Sequence, residues 1–185
     1  MLTVAPETLD DVRSVRIDVQ SVVVRLALTY VAQEHGWTVC RNETGDGCVR
    51  IADTCTASSP VDVLVSRDTP SECQQAVEAV LNGAARAIVL WDEPKSLRTA
   101  IEALMARATV IPERVIELAN TAPQLTDRHR QTLRLLAAGR SNSEISATLH
   151  QSSSTTKRDI AELLEIFDAA NRASLTTAAN RLGFV

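Results

Sequence analysis

The chain of 185 residues has no apolar run approaching the roughly 20 residues that a membrane-spanning helix needs. Its N-terminus, MLTVAPETLDD, has neither a basic start nor a long apolar stretch, so no secretory signal is expected. These absences lead to the expectation of a soluble, cytoplasmic protein without a membrane partner. Lysine is nearly missing, at positions 95 and 157 only, and arginine carries the remaining positive charge. That usage hints at a GC-rich genome. The four cysteines, Cys40, Cys48, Cys55 and Cys73, include no close pair of the kind that holds zinc. A reducing compartment argues against structural disulfides, so buried thiols are expected. One alternative stays open, a reversible disulfide between Cys48 and Cys55, which flank a short strand. No spacing suggests a Ser-His-Asp, Cys-His or paired-carboxylate arrangement. No enzymatic activity, cofactor or metal is therefore expected.

Hydrophobic residues make up 45% of the chain and charged residues 23%, which excludes disorder by composition. The net charge of −4 is unevenly spread. From Gln124 onward there are eight Lys and Arg against six Asp and Glu, and before it eleven against seventeen. An acidic part joined to a mildly basic one suits a regulator better than a general nucleic-acid coat.

The basic part, from Leu125 to Val185, reads as four helices. Thr126 is placed to cap the first, which turns Leu133 and Leu136 inward and stops at Gly139. Ser141 and Glu144 form a capping-box pattern for the second, with Ile145 and Leu149 on one face. Ser152 caps the third, whose Ile160, Leu163, Leu164 and Phe167 fall at helical spacing. Ser174 is read as the cap of the last, which buries Leu175, Ala178 and Leu182. Only His150 and Gln151 link the second and third helices. Helices joined so tightly cross steeply, as in a helix-turn-helix, leaving the second helix free to enter a DNA major groove.

These residues resemble the C-terminal DNA-binding domain of the LuxR/NarL (GerE-type) transcription regulators. The resemblance is carried by Leu125-Thr126, Arg128, Arg130, Leu133, Leu136 to Gly139, Ser141-Asn142, Glu144-Ile145, Leu149, Ser152, Thr155, Lys157 and Asn171-Arg172. It implies a DNA surface of Ser141, Asn142, Ser152, Ser153, Ser154, Thr155, Lys157, Arg158 and Ala161. It also implies double-stranded DNA as partner and a homodimer contact around Leu175 to Leu182. Four positions depart from the family. Gln151 and Thr156 stand where it has apolar plugs, His129 where it has a capping glutamate, and Asp159 where it has a histidine. Asp159, Glu162 and Glu165 outnumber Lys157 and Arg158 on the third helix, and carboxylates near phosphates oppose binding.

Upstream the chain alternates. Strands are expected at 13–19, 37–40, 48–52, 61–65 and 87–90, with helices at 21–34, 71–81, 95–107 and 112–119 and loops at 41–48 and 54–60. Such alternation implies a parallel sheet with helices on its faces. The order resembles a receiver domain of the response regulators, shortened by about two helices. A working receiver has an acidic pair for magnesium, a phosphoacceptor aspartate and a lysine. Here the pair positions fall on Val19 and Gln20 and the lysine position on Trp91, while Ser66 takes the switch position. Asp53 is the one candidate phosphoacceptor, and it lacks the charge-neutralising groups that phosphoryl transfer needs. Trp91 is read as a core or interface aromatic, with ligand stacking the alternative.

The expectation is thus an α/β receiver-like domain over residues 1–119, with a parallel five-stranded sheet and reduced helices. A linker at 120–124 leads to an all-α four-helix helix-turn-helix domain at 125–185. The function expected is a phosphorylation-independent DNA-binding transcription regulator, working as a homodimer. Two alternatives stand beside it. One is a protein-interaction module that has lost DNA binding and pairs with another regulator. The other is a thiol redox sensor.

Overall fold

The structure, a computed structural model, describes residues 14–40, 48–56 and 58–185. Of the expected loop at 41–48, residues 41–47 lie outside the described residues and Cys48 already belongs to a strand, while Arg13 of the first expected strand is also outside them. The chain divides into two compact units, one of Met1–Asp68 and Glu72–Asn120, the other of Thr121–Val185 with Thr69–Ser71.

The first unit is a five-stranded sheet of β1 (Ser14–Asp18), β2 (Thr38–Cys40), β3 (Cys48–Ala52), β4 (Val63–Ser66) and β5 (Ala87–Leu90). The order is β2-β1-β3-β4-β5, and every pairing is parallel. On one face α1 (Val22–Glu34) and α3 (Leu97–Met105) pack Leu28, Val31, Leu97 and Ile101 against Val15, Val49, Ile51, Val63 and Val89. On the other, α2 (Pro70–Leu81) and α4 (Glu113–Asn120) set Cys73, Ala76 and Val115 against Leu64, Ile88 and Leu90. Strands β4 and β5 are buried along their whole length, which explains their unbroken apolar sequences. The second face is different over β1 and β3. There Arg16 and Arg50 stand side by side in register, and Asp18 pairs with both, at 2.7 Å and 3.8 Å. Among the described residues no helix stands between β2 and β4. A charged half-face is the consequence: strands without a covering helix have no apolar surface to bury against, so polar side chains occupy that side. The segment read as one helix over 95–107 begins as a single 3-10 turn, Pro94–Ser96, before α3.

The second unit holds α5 (Asp127–Ala137), α6 (Asn142–Thr148), α7 (Ser153–Ile166) and α8 (Arg172–Arg181). Leu133, Leu136, Ile145, Leu163, Leu175 and Ala179 meet in its core. Phe167 and Phe184 pack edge to face beside it, 5.6 Å between centroids. Gly139 ends α5 in the left-handed region at φ +78°, where a side chain would be strained. The last helix differs from expectation. Its cap is Asn171, whose carboxamide accepts from the Ser174 N–H, while the Ser174 hydroxyl bonds back to Asn171 N. Ser174 is the third helical residue of that reciprocal box. The shift in phase buries Ala179 rather than Ala178, and Leu182 is half-buried.

Candidate nucleic-acid interface

Two well-capped helices frame the interface. At the start of α6 the Ser141 hydroxyl accepts from Glu144 N, and the Glu144 carboxylate accepts from Ser141 N at 2.8 Å. The Ser141 N–H and hydroxyl, with Arg140 behind them, hold the Glu144 carboxyl down to about 2. At the start of α7 the Ser152 hydroxyl accepts from Thr155 N at 3.1 Å. Between them His150 turns the chain with φ +50°, one of the few non-glycine residues in the left-handed region. Arg172 fixes the far side by donating to the carbonyl of Leu136 at 3.0 Å, at the carboxyl end of α5.

The departures from the family pattern come together beneath α7. Thr156 and Asp159 are buried on its inner face, one turn before Leu163. Gln151 donates to Thr156 Oγ1 at 2.9 Å and to Asp159 Oδ2 at 3.1 Å. Ser146 Oγ of α6 meets the same Thr156 hydroxyl at 2.9 Å. Arg128 of α5 grips Asp159 with two nitrogens, one at 2.7 Å. The Asp159 hydrogen bond raises the Arg128 guanidinium pKa above its ordinary value. Beside this pair His129 Nε2 lies 2.9 Å from Glu162 Oε2, and Arg158 Nε lies 3.6 Å from Glu162 Oε1. His129 Nδ1 is buried without a hydrogen-bond partner. A polar network thus replaces the apolar plug.

This corrects the expectation for the third helix. Asp159 does not oppose DNA, because it points into the domain and is neutralised by Arg128. Glu162 is half-buried and engaged by His129. What α7 exposes is Ser153, Ser154, Lys157, Arg158 and Ala161, with Glu165 and Ile166 further along. Ser152 and Thr155 lie beside this stripe, the first exposed and the second half-buried. Ser141 is exposed and Asn142 half-buried at the start of α6. His129, Asp159 and Glu162 are close enough to suggest a cation cage, all donor atoms within 4.8 Å. Arg128 already takes both Asp159 oxygens, so that donor set is an ion-pair cluster and not a metal centre.

The sequence reading missed the contact of Arg128 with Asp159 and the inward role of Asp159. A signal was present: Thr156, Asp159 and Leu163 follow at steps of three and four, the spacing of one helix face.

In the first unit the carboxyl ends of the strands bring together Gln20, Asp53 and Ser66, around a cavity of about 420 Å³ that Cys55, Arg67 and Glu72 also line. The Gln20 N–H donates to Asp53 Oδ2 at 2.7 Å, while Oδ1 is buried without a partner. Ser66 turns its hydroxyl to the carbonyl of Arg67. These residues do not fit magnesium. The ion needs several hard oxygen ligands, and the carboxylates lining the cavity are Asp53, with one oxygen already bonded to the Gln20 amide, and Glu72, which accepts from the Arg67 N–H at 3.2 Å. Trp91 is not a core aromatic: it is 43% exposed, and its indole N–H donates to Asp68 at 3.1 Å. Nearby Arg114 of α4 binds Asp92, Glu93 and Asp68 at 2.8–3.1 Å.

The cysteine expectation also changes. Cys48 opens β3 and Cys55 lies beyond its end, so the strand separates them. Cys48 instead meets Cys40, Sγ to Sγ 3.4 Å.

Comparison with known proteins places this geometry. Residues 123–179 match the model for bacterial regulatory proteins of the luxR family. The chain is 30% identical over 124 residues to the transcriptional regulatory protein DesR of Bacillus subtilis (strain 168), an alignment covering 66% of this chain. It spans 60% of that relative's length. Among solved structures, the RcsB response regulator of Salmonella typhimurium, described for its conformational dynamism in DNA interaction, matches with a TM-score of 0.53 at 20% identity. That match covers 91% of this chain and 99% of the other. A structure of two RcsB dimers bound to two parallel DNAs also gives 0.53, at 18% identity, over 92% and 98% of the two chains. Identities this low speak for a shared fold alone. With the capped α6–turn–α7 unit and the matched segment together, residues 123–179 are similar to the bacterial regulatory proteins of the luxR family, and they follow a five-stranded α/β unit that shares the fold of the solved response regulators.

Proposed function

We propose that this protein is a cytoplasmic transcription regulator that binds double-stranded DNA through α7, as a homodimer, without a phosphoryl switch in its α/β unit. The observation that carries this is the sorting of charge on α7. Lys157 and Arg158 face outward with Ser153, Ser154 and Ala161, while Asp159 and Glu162 are held against α5. A helix so sorted presents cations and hydroxyls to a phosphate backbone. The division of labour follows residues 1–119 for assembly or sensing, 120–124 as linker and 125–185 for DNA.

Independence from phosphate rests on Val19, Gln20 and Trp91 at the positions where a receiver needs two acids and a lysine. Pairing is supported by α1, which leaves Val22, Val23, Leu26 and Tyr30 exposed, Val23 by 77%. A contiguous exposed apolar stripe marks an interaction surface. On α8 the exposed positions are Ala173, Thr177, Asn180 and Arg181, while Leu175 is committed to the core.

Gel shifts of the full chain on fragments of its own genome test the proposal. Retarded fragments at roughly micromolar protein, lost in the Lys157→Ala/Arg158→Ala variant, are the expected outcome. Failure to retard any fragment, with the folded domain verified, would replace DNA binding by a protein-interaction role.

A further inference from the structure

Cys40 closes β2 and Cys48 opens β3, the two strands that flank β1. In register Cys40 stands beside Arg16, and Cys48 beside Ser14. Ser14 and Arg16 are two residues apart on β1, so both cysteines rise from the same face of the sheet. Their sulfurs meet above β1 at 3.4 Å, and the Cys40 thiol also donates to the carbonyl of Val15 at 3.6 Å. Both side chains are half-buried. Cys40 also lines an open groove with Arg25, Leu26, Thr29 and Val39, which admits a small solute. The other two cysteines are built differently. Cys55 and Cys73 pack into the cluster under α2. Burial pushes the Cys55 thiol up and the Cys73 thiol to about 11. Reactivity belongs to the thiolate, so burial makes these two poorer nucleophiles than ordinary thiols.

We propose that Cys40 and Cys48 form a redox pair that a peroxide closes to a disulfide. One sulfur, as thiolate, attacks a peroxide oxygen, breaks the O–O bond and becomes a sulfenic acid, with hydroxide leaving and taking up a proton as water. The second sulfur then attacks the sulfenic sulfur, and the S–O bond breaks with loss of water. Two thiols and one hydrogen peroxide give one disulfide and two waters, the sulfurs supplying both electrons. The sulfurs stand 3.4 Å apart and must close to about 2.05 Å to bond. Bond formation therefore draws β2 inward over β1. Strand β2 is short and at the sheet edge, held through three register pairs to β1. A bond closed against that displacement is strained and easily reduced, as regulatory disulfides are.

The test treats the full native chain with stoichiometric hydrogen peroxide, blocks remaining thiols, denatures and digests with trypsin. Cleavage after Arg25, Arg41, Arg50, Arg67 and Arg86 leaves the four cysteines on four peptides. The expected result is a link between peptides 26–41 and 42–50 with loss of two hydrogens. Dithiothreitol should reverse it, and it should persist in the Cys55→Ser/Cys73→Ser variant. It should also form faster in the native protein than in urea, which separates native geometry from closeness in sequence. Four blocked thiols, a link to peptide 51–67 or 68–86, stable over-oxidation of one cysteine without a link, or equal rates in urea would each overturn the proposal. None of these outcomes depends on DNA binding.

Discussion

Asp159 shows how a single side chain sets the character of a whole helix. A carboxylate left alone in a domain interior costs several kcal/mol, and here the planar fork of Arg128 and the amide of Gln151 neutralise and satisfy it. The Arg128 side chain is 42% exposed while Asp159 is 3% exposed, so water screens one end of the pair. Asp159→Ala is therefore expected to lower the unfolding free energy of this unit by about 2–3 kcal/mol, toward the low end for broken buried pairs, as read from urea denaturation. Asp159→His, which restores the family residue, should also destabilise, because it sets an imidazole against Arg128. It should not tighten DNA binding. Arg128→Lys should rescue little of the loss of an Arg128→Ala variant, since a point charge cannot replace the two-pronged contact. A melt showing Asp159→His as stable as the parent would mean the network is dispensable.

At the scale of elements, caps decide where the helices of the second unit begin. Ser141→Ala should cost about 1 kcal/mol of stability, the usual worth of a serine cap. The Glu144 carboxyl has its folded pKa pulled from 4.5 to about 2. A depressed carboxylate stabilises above its unfolded pKa, and the contribution disappears as pH falls through the folded value. Thermal unfolding of the parent should exceed that of Glu144→Gln at pH 6, with the gap closing between pH 4.5 and 2. An unchanging gap over that interval would refute the capping role. Elements with local signals were legible in the sequence. The starts of α5, α6 and α7 follow from Thr126, Ser141 and Ser152, and β5 from its apolar run. The start of α8 was misread because Asn171 and Ser174 are both good caps three residues apart, and each serves one half of the same box. Contacts that only the fold creates were not legible. Arg128 and Asp159 are 31 residues apart, and Cys40 meets Cys48 because a parallel sheet sets β2 and β3 on either side of β1.

Across the whole molecule, the α/β unit keeps the strand order of a receiver, with Val19 and Gln20 just after β1 and Trp91 just after β5. Incubation with acetyl phosphate and magnesium should leave the mass unchanged, since Asp53 has neither an acidic pair nor a lysine beside it. A phosphoryl group retained by the parent and absent from Asp53→Asn would contradict this. The unit also presents a charged half-face of Arg16, Asp18 and Arg50 and the exposed apolar stripe of α1. Light scattering should find a dimer at roughly micromolar concentration, weakened by Leu26→Asp, because an isologous contact places each changed residue in the interface twice. Such a dimer would set two copies of α7 against a two-fold DNA site. Whether α7 does meet DNA is decided most directly by titrating a retarded fragment and a random duplex at two salt concentrations, with the parent, Lys157→Ala and Arg158→Ala. Loss of Lys157 should weaken both duplexes alike and reduce the salt slope by about one charge. Loss of Arg158 should cost the specific duplex about 1–3 kcal/mol more than the random one. Equal affinities and equal salt slopes for all three proteins would contradict the assignment of α7 as the DNA-reading helix.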